Sequence, residues 1–326
     1  MKNYITELFD FEKIMSAKVK LNEDRLRLYK DYQKERANIY YKKEILQHKA
    51  PFTENKVLHN YRFTNVKREL DKGSRVLIDS VCSKDITLQN KLLNIILYRV
   101  FISNYQKIPI FSNKEYLDFE NNSKEYLDYL NNVEYKSLKD PYFTSASKTN
   151  AKKHIQKHYP HLVDSSYLVK FYLFVKDNKE KYFEAFLKLD ENNKHTLEFV
   201  NLNLPSLGTF FKYQVFVDLT YCKEYTRTEN DIIISGPGCS LGISYLAEDM
   251  GGLTDEEFCV WFREFLKNED DFNPEEFLHF LDTEKQTWDL MPIENSFCEF
   301  SKYIRLLENK GGQRKYTHTI ETLGDF

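Results

Sequence analysis

The segment Ile232–Ile243, which reads Ile-Ile-Ile-Ser-Gly-Pro-Gly-Cys-Ser-Leu-Gly-Ile, decides the fold predicted for this chain. An apolar run stops at a Gly-Pro-Gly corner, and an amphipathic helix restarts at Gly242. Pro237 has a fixed φ and lacks an N–H group, while the glycines on both sides allow positive φ and close backbone approach. The N–H groups of the next helical turn can then face a phosphate. An ordinary turn between helices is the alternative, because short glycine motifs are weakly specific.

The composition is that of a globular protein. The chain has 326 residues, 41% of them hydrophobic and 15% aromatic, which is enough for one large domain or two lobes. It contains no run of about 18 apolar residues, and its N-terminus lacks the basic and apolar regions of a signal peptide. Five scattered cysteines without a C-x-x-C pair argue against a disulfide framework or a zinc ribbon. We therefore expect a cytoplasmic protein with reduced thiols and no membrane partner.

Charge is distributed unevenly along the chain. Residues 1–115 carry 23 Lys and Arg against 14 Asp and Glu, whereas the remainder carries 24 against 36. The acidic block Glu248–Glu284 holds 13 acidic residues and only two basic ones. A basic face on a mildly acidic protein is consistent with this pattern, but so are solvated helix surfaces, so charge alone does not establish DNA binding.

The hydrophobic pattern predicts a mainly helical chain. We expect an N-terminal helical extension over 1–50, a main helical domain over 51–316 and a tail over 317–326. The pattern switches to alternation at 167–201, which predicts a small antiparallel β insertion. Seven stretches read as helices after the extension. These are Lys56–Asp79, Leu92–Ile102, Thr209–Tyr221, a helix after the glycine corner, Asp255–Lys267, Pro274–Asp282 and Ile293–Glu308.

A first polar cluster lies in Arg62–Asp71. Helical spacing would put Asn65, Arg68 and Asp71 near one another, with Arg62 one turn earlier. Such a stripe can hold a phosphate or a base edge. A surface ladder of salt bridges is the alternative, because such pairs are common on helices.

A second cluster lies in the mostly apolar segment Gly208–Tyr221. Gln214 and Asp218 are four residues apart and share a helical face among aromatic side chains such as Tyr213. A buried amide can read the edge of a pyrimidine, and a carboxylate in an apolar setting can act as a general base. Asp218 as a purely structural cap or ion-pair partner is the alternative.

A third cluster follows Asp289. The spacing places Asn295, Glu299 and Lys302 on one helical face. Lys302 could serve as an amine nucleophile or a phosphate clamp, and Glu299 as an acid or base. An exposed Glu-Lys pair is the alternative.

Several common nucleotide and metal motifs do not occur in the sequence. It contains no G-x-x-x-x-G-K-[ST] loop, no H-E-x-x-H pair, no Rossmann glycine fingerprint and no G-x-S-x-G elbow. We therefore expect no P-loop kinase activity, no nucleotide cofactor, no other cofactor and no metal.

Four ordered motifs carry a resemblance to a known family. They are Arg62-Phe-Thr-Asn-Val-Lys-Arg-Glu-Leu-Asp71, Phe210-Phe-Lys-Tyr-Gln-Val-Phe-Val-Asp-Leu219, Gly236-Pro-Gly-Cys-Ser-Leu-Gly-Ile243 and Asn295-Ser-Phe-Cys-Glu-Phe-Ser-Lys-Tyr303. Together they resemble the α-glutamyl/putrescinyl thymine pyrophosphorylase family, which is also the helical domain attached to 5-hydroxymethyldeoxyuridine DNA kinases. The resemblance implies a mainly α, helix-hairpin-helix DNA glycosylase-like fold that acts on DNA containing modified pyrimidines.

The resemblance implies a reaction on a flipped base, and three hypotheses follow from it. We expect a DNA glycosylase-like hydrolase that excises a hypermodified pyrimidine, in defence against modified phage DNA or in base excision. The alternative is a transferase that displaces pyrophosphate from an activated 5-methyl group with an amine or amino acid. The third hypothesis is a protein that binds modified DNA without catalysis.

The candidate residues divide into three roles. For catalysis we expect Asp218 and Glu299, with Asp289 in reserve and Lys302 as a possible nucleophile. The residues expected to bind DNA phosphates are Gly236, Pro237, Gly238, Gly242, Arg62, Arg68 and Arg305. The residues expected to line the base pocket are Asn65, Tyr213, Gln214 and Asn295.

Overall fold

The structure is a computed structural model that describes residues 9–101, 116, 157–161, 167–187 and 208–310. The chain divides into two compact units. The first comprises residues 1–72 and 229–326, and the second comprises residues 73–228. The domain boundaries predicted at 51 and 316 both fall inside the first unit.

The described residues are mainly helical, as predicted. In chain order the helices are α1 (Phe11–Ser16), α2 (Glu23–Tyr40), α3 (Lys56–Asn60), α4 (Lys72–Leu77), α5 (Leu88–Phe101), α6 (Tyr167–Asp177), α7 (Lys179–Leu187), α8 (Thr209–Leu219), α9 (Pro237–Leu246), α10 (Asp255–Lys267), α11 (Pro274–Phe277) and α12 (Leu290–Leu307). Single turns of π-helix (Tyr41–Ile45, Ile78–Cys82) and 3-10 helix (Arg68–Leu70, Thr283–Gln286) accompany them. None of the described helices is long and apolar enough to cross a membrane.

The core of the first unit is built around one aromatic side chain. Tyr29 of α2 is fully buried, and its ring centre lies 5.3 Å from Phe262 of α10 and 5.3 Å from Phe300 of α12. The Tyr29 hydroxyl and Ser296 Oγ are 2.6 Å apart, so the polar end of this ring is also paired. These contacts fix α2, α10 and α12 against one another.

Helix α9 packs closely against α12 because it carries glycines on the shared face. A Cβ atom at Gly242 would collide with the backbone of Phe297, and one at Gly238 would collide with the sulfur of Cys298. Both glycines therefore serve close packing of two helices.

The second unit has an apolar centre formed by α5. Leu92, Leu93, Ile95, Ile96 and Leu97 are buried, as the sequence predicts, and α5 packs against α6, α7 and α8. Within this unit the Asp218 carboxylate of α8 and the Arg99 guanidinium of α5 form a bidentate, buried ion pair.

The β insertion predicted at 167–201 is wrong over the part that the structure describes. Residues 167–187 form α6 and α7, and residues 188–201 lie outside the described residues. Phe171, Tyr172, Phe174 and Val175 are all buried, and a helix that is apolar on most sides shows no clear helical period. A small antiparallel sheet does exist elsewhere, between β1 (Lys20–Leu21) and β2 (Ala247–Asp249), both in the first unit.

Candidate functional site

The first sequence motif folds as a loop between helices. The prediction of one helix over 56–79 is wrong, because α3 ends at Asn60 and the next helical turn begins at Arg68. Arg36 of α2 donates hydrogen bonds to the carbonyl oxygens of Phe63 and Thr64, each 3.0 Å from Nη2. These carbonyls therefore pair with a distant side chain instead of continuing a helix.

Asn65 and Asp71 close this loop. The backbone N–H and the side-chain amide of Asn65 both donate to Asp71 Oδ1, at 2.8 and 3.0 Å. Burial raises the pKa of Asp71 to about 7, against the lowering effect of the Asn65 hydrogen bond and of Arg68 and Arg36. Asn65 and Asp71 are thus close, as predicted, but through a turn of the loop.

The third sequence motif meets the same loop. Asn295, Glu299 and Lys302 share one face of α12, as their spacing predicts. The Thr64 hydroxyl accepts from Asn295 Nδ2 at 2.9 Å, and the Thr64 N–H donates to Glu299 Oε2 at 3.1 Å. Lys302 Nζ donates to the Arg62 carbonyl and lies 4.5 Å from the centre of the Phe63 ring. In this conformation all three side chains hold the loop.

The recess between these polar groups is small. Gln33, Arg36, Asn65, Asn295 and Glu299 enclose a volume of about 10 Å³. That volume accommodates about one water molecule, so a pyrimidine ring does not fit there in this conformation.

The glycine corner at the start of α9 is occupied by the protein's own carboxylates. The Gly236 N–H donates to Glu294 Oε1 at 3.2 Å, and the Ser235 N–H donates to Glu256 Oε1 at 2.9 Å. Burial raises the pKa of Glu294 to about 7 although the Gly236 hydrogen bond and Arg68 lower it. Pro237 is exposed at the corner. Phosphate binding here stays a prediction, because the carboxylates accept from the Ser235 and Gly236 N–H groups, which precede the helical turn expected to face a phosphate.

The second sequence motif lies in the other unit. The Asp218 side chain is inaccessible to solvent and paired with Arg99, Tyr213 is buried, and Gln214 is half-buried on the same helix. The Asp218 and Glu299 carboxylates therefore belong to different units.

The remaining candidate residues differ in accessibility. Asp289 accepts from Lys67 Nζ at 3.0 Å and from Asn230 Nδ2 at 2.5 Å at the start of α12. Arg68 is buried, with 5% of its surface exposed, whereas Arg62 is exposed and Arg305 is half-buried. Of these three arginines, Arg62 and Arg305 therefore expose more of their surface to solvent than Arg68 does.

Sequence reasoning missed a groove that the structure describes in the first unit. Its volume is about 740 Å³. The residues that line it are Asp31, Tyr32, Lys34, Glu35, Lys42, Pro51, Phe52, Thr53, Glu54, Asn55 and Tyr303. The available signal was the like-charged pair Asp31 and Glu35, which lie four residues apart on one face of α2, an arrangement that disfavours a helix.

The sequence matches the model of the family described as 5-hmdU DNA kinase, helical domain, over residues 23–312. The chain belongs to this family. The match to the 5-hmdU DNA kinase helical domain begins at residue 23, so it includes α2, which we had predicted to lie in an extension. One curated relative is the 5-hmdU DNA kinase of Bacillus phage SP10, 28% identical over 295 residues. The alignment covers 85% of this chain and 44% of the relative, so the chain spans less than half of that kinase. No solved structure matches the chain.

These comparisons correct the predicted chemistry. Excision of a base would make the protein a hydrolase, but the relative is named as a kinase, which is a phosphorylating transferase. Neither of our alternatives, amine transfer or binding without catalysis, is phosphorylation. The expectation that no nucleotide takes part also conflicts with a kinase, because kinases transfer a phosphoryl group from a nucleotide. The relative's name does agree with the prediction of a modified pyrimidine in DNA.

Proposed function

We propose that this chain holds the DNA substrate in a 5-hmdU DNA kinase reaction, in which a modified pyrimidine of DNA receives a phosphoryl group from a nucleoside triphosphate. The observation that carries the proposal is the family match over residues 23–312, supported by the named activity of the phage relative. The proposal concerns the DNA side of the reaction and assigns no nucleotide site to the described residues.

The chemistry of this reaction sets two requirements on the DNA side. A base must leave the stack before an enzyme can modify it, and the acceptor hydroxyl must be held in line with the phosphoryl group. Catalysis of phosphoryl transfer therefore depends mainly on positioning the reactants and on electrostatic stabilisation of the transition state. Positive side chains hold the backbone, and a separate cavity receives the base.

We assign the backbone contacts to the basic strip formed by Lys56, Arg62, Lys302 and Arg305. Helices α3 and α12 pack together, and the Lys302 amine binds the Arg62 carbonyl, so these side chains lie along one surface of the first unit. Lys56 and Arg62 are exposed, as phosphate contacts require. The polar contacts of Asn295 and Glu299 keep the loop that carries Arg62 in place.

We also propose that the fold is related to the helix-hairpin-helix superfamily. In favour of this relationship, Pro237 begins α9 and two glycines let α9 approach α12 closely. The chain before the corner, 232–236, forms no helix or strand, and Gly236 has an extended backbone. In this proposal the corner contributes packing, and the basic strip contacts the DNA.

The first test measures DNA binding by fluorescence anisotropy. Two labelled duplexes of the same sequence carry either 5-hmdU or thymine at one position. We expect tighter binding of the 5-hmdU duplex and a fall in affinity with rising salt for both duplexes. Equal affinity for the two duplexes would contradict the proposal.

The second test measures phosphoryl transfer in a hybrid protein. This chain replaces the matching segment of the Bacillus phage SP10 kinase, and transfer of the γ-phosphate of labelled ATP to 5-hmdU DNA is followed. We expect label in 5-hmdU DNA and none in thymine DNA. A phage kinase from which the segment is deleted serves as the control.

A further inference from the structure

The groove on α2 has the size of a small-molecule site. Ligand pockets commonly enclose 300 to 1,000 Å³, and the groove measures about 740 Å³. One wall is formed by α2, another by the segment Pro51–Asn55, and Tyr303 of α12 contributes from a third side. A groove of this volume has room for a pyrimidine with its sugar, unlike the recess beside Asn65.

Two carboxylates on α2 enter this groove without a partner. Asp31 and Glu35 form no hydrogen bond or ion pair with any residue that the structure describes, although they lie one helical turn apart. Like charges at this spacing destabilise a helix. Their carboxylates thus offer two open acceptors to a ligand.

The two lysines that line the groove bind backbone carbonyl oxygens, and neither forms an ion pair with Asp31 or Glu35. Lys42 Nζ donates to the Phe52 carbonyl at 3.2 Å, and Lys34 Nζ donates to the Asp271 carbonyl at 2.8 Å. With Glu54 the lining holds three carboxylates and two ammonium groups, so its free carboxylate oxygens suit a group that donates hydrogen bonds.

Tyr303 supplies a donor beside the carboxylates. Its hydroxyl accepts from Asn55 Nδ2 at 2.7 Å, which leaves its own proton for another acceptor. Burial and the nearby charges of Asp31 and Glu35 raise the pKa of Tyr303, so the hydroxyl stays protonated near neutral pH. A pyrimidine carbonyl is such an acceptor, and the rings of Tyr32 and Phe52 offer apolar walls.

We propose that this groove receives an everted hydroxymethylpyrimidine, with the Asp31 and Glu35 carboxylates accepting a hydrogen bond from its hydroxyl group. The inference rests on the proposed function and adds to it the position of the base and the contact that selects it. Thymine has a methyl group instead, which leaves a carboxylate unpaired against an apolar group. The groove therefore discriminates between the two bases through one hydrogen bond.

The test compares the full chain with two variants in the anisotropy assay. We expect the unmodified chain to prefer the 5-hmdU duplex about tenfold, which corresponds to one charge-assisted hydrogen bond of about 1.4 kcal/mol. The double variant Asp31→Ala, Glu35→Ala removes both acceptors and should lower this ratio to about one without weakening binding of the thymine duplex. Glu284→Gln removes one exposed charge away from the groove and should keep the full ratio.

Tyr303→Phe provides an independent probe of the same groove. It keeps the ring in place and removes the hydroxyl, so we expect affinity for both duplexes to fall together while the ratio changes little. Melting temperatures report whether each variant is folded.

The outcomes separate the groove from the proposed function. If the unmodified chain prefers 5-hmdU DNA and the double variant keeps that preference, the groove assignment is wrong while the proposed function stands. If the unmodified chain shows no preference, the proposed function fails, and the groove assignment fails with it. If the unmodified chain prefers 5-hmdU DNA and the double variant loses that preference, the result supports both the proposed function and the groove assignment.

Discussion

The glycine corner and the α2 groove place carboxylates in opposite situations. At the corner, Glu256 and Glu294 accept hydrogen bonds from backbone N–H groups at the start of α9. In the groove, Asp31 and Glu35 have no such partner among the described residues. The corner carboxylates are thus hydrogen-bonded within the protein, whereas the groove carboxylates can accept a hydrogen bond from a ligand.

This difference shows that a conspicuous sequence motif and a candidate ligand site can lie in different parts of a helical protein. The corner is the most conspicuous motif in the sequence, yet Gly238 and Gly242 are explained by the close approach of α9 to α12. The groove has no sequence motif, but it places two like charges one helical turn apart, and neither accepts a hydrogen bond from another described residue. Residues that cost stability are common at functional sites, because selection there acts on activity.

The largest expected effect concerns packing at the corner. Gly242→Ala should lower the free energy of unfolding by about 3 kcal/mol, because the new methyl group would collide with the Phe297 backbone, which cannot rotate away. Urea denaturation measures the loss. Gly208→Ala is the matched control, since a Cβ there meets nothing within 4 Å. Equal stability of the two variants would mean that α9 and α12 are not closely packed.

The second effect concerns the buried Glu294 carboxyl. Its pKa is about 7 in the folded protein, against an ordinary value of 4.5 for glutamate, so the folded state binds more protons than the unfolded state between these values. Stability is therefore fully present below about pH 4.5 and falls by about 3 kcal/mol as pH rises through 7.

Glu294→Gln should remove this loss while the new amide oxygen still accepts from the Gly236 N–H. Asp71, whose pKa is also raised to about 7, causes a parallel fall that the variant retains. Urea denaturation between pH 4.5 and 8 should show a decline reduced to about half. An unchanged pH dependence would place Glu294 in contact with solvent.

A third experiment asks which region contacts DNA. Arg62→Gln should weaken binding of all duplexes alike and reduce the slope of log K against log salt by about one unit, because one phosphate contact is lost. Glu256→Gln removes a negative charge at the corner and should leave binding unchanged. Stronger DNA binding by the Glu256 variant would indicate that the corner, and not Arg62, contacts the DNA phosphates.

Much of the helical architecture could be predicted because its signals are local. The prediction for Asp255–Lys267 coincides with α10. Thr254 and Glu257 form a capping box at the N-terminus of this helix. The shared face of Asn295, Glu299 and Lys302 likewise follows from helical spacing alone. Patterns of this kind need no knowledge of the rest of the chain.

The loop at 61–67 could not be predicted because its partners are distant in sequence. Arg36 and Glu299 replace the helical hydrogen bonds of Thr64, at separations of 28 and 235 residues. The groove is hidden for the same reason, since α2 and Tyr303 come together only in the folded chain. Residues 167–187 were misassigned because a buried helix lacks a polar face.

The smallest expected effect is also the one that separates the two regions most clearly. Asp31→Asn and Glu35→Gln should each change the free energy of unfolding by no more than about 0.5 kcal/mol, in the stabilising direction, because each relieves the repulsion between like charges one turn apart. Glu256→Gln should be destabilising, since it weakens the bond to the Ser235 N–H. Thermal and urea unfolding at low salt measure both. If the groove variants lose stability as the corner variant does, then Asp31 and Glu35 have structural partners, and the contrast between a closed corner and an open groove does not hold.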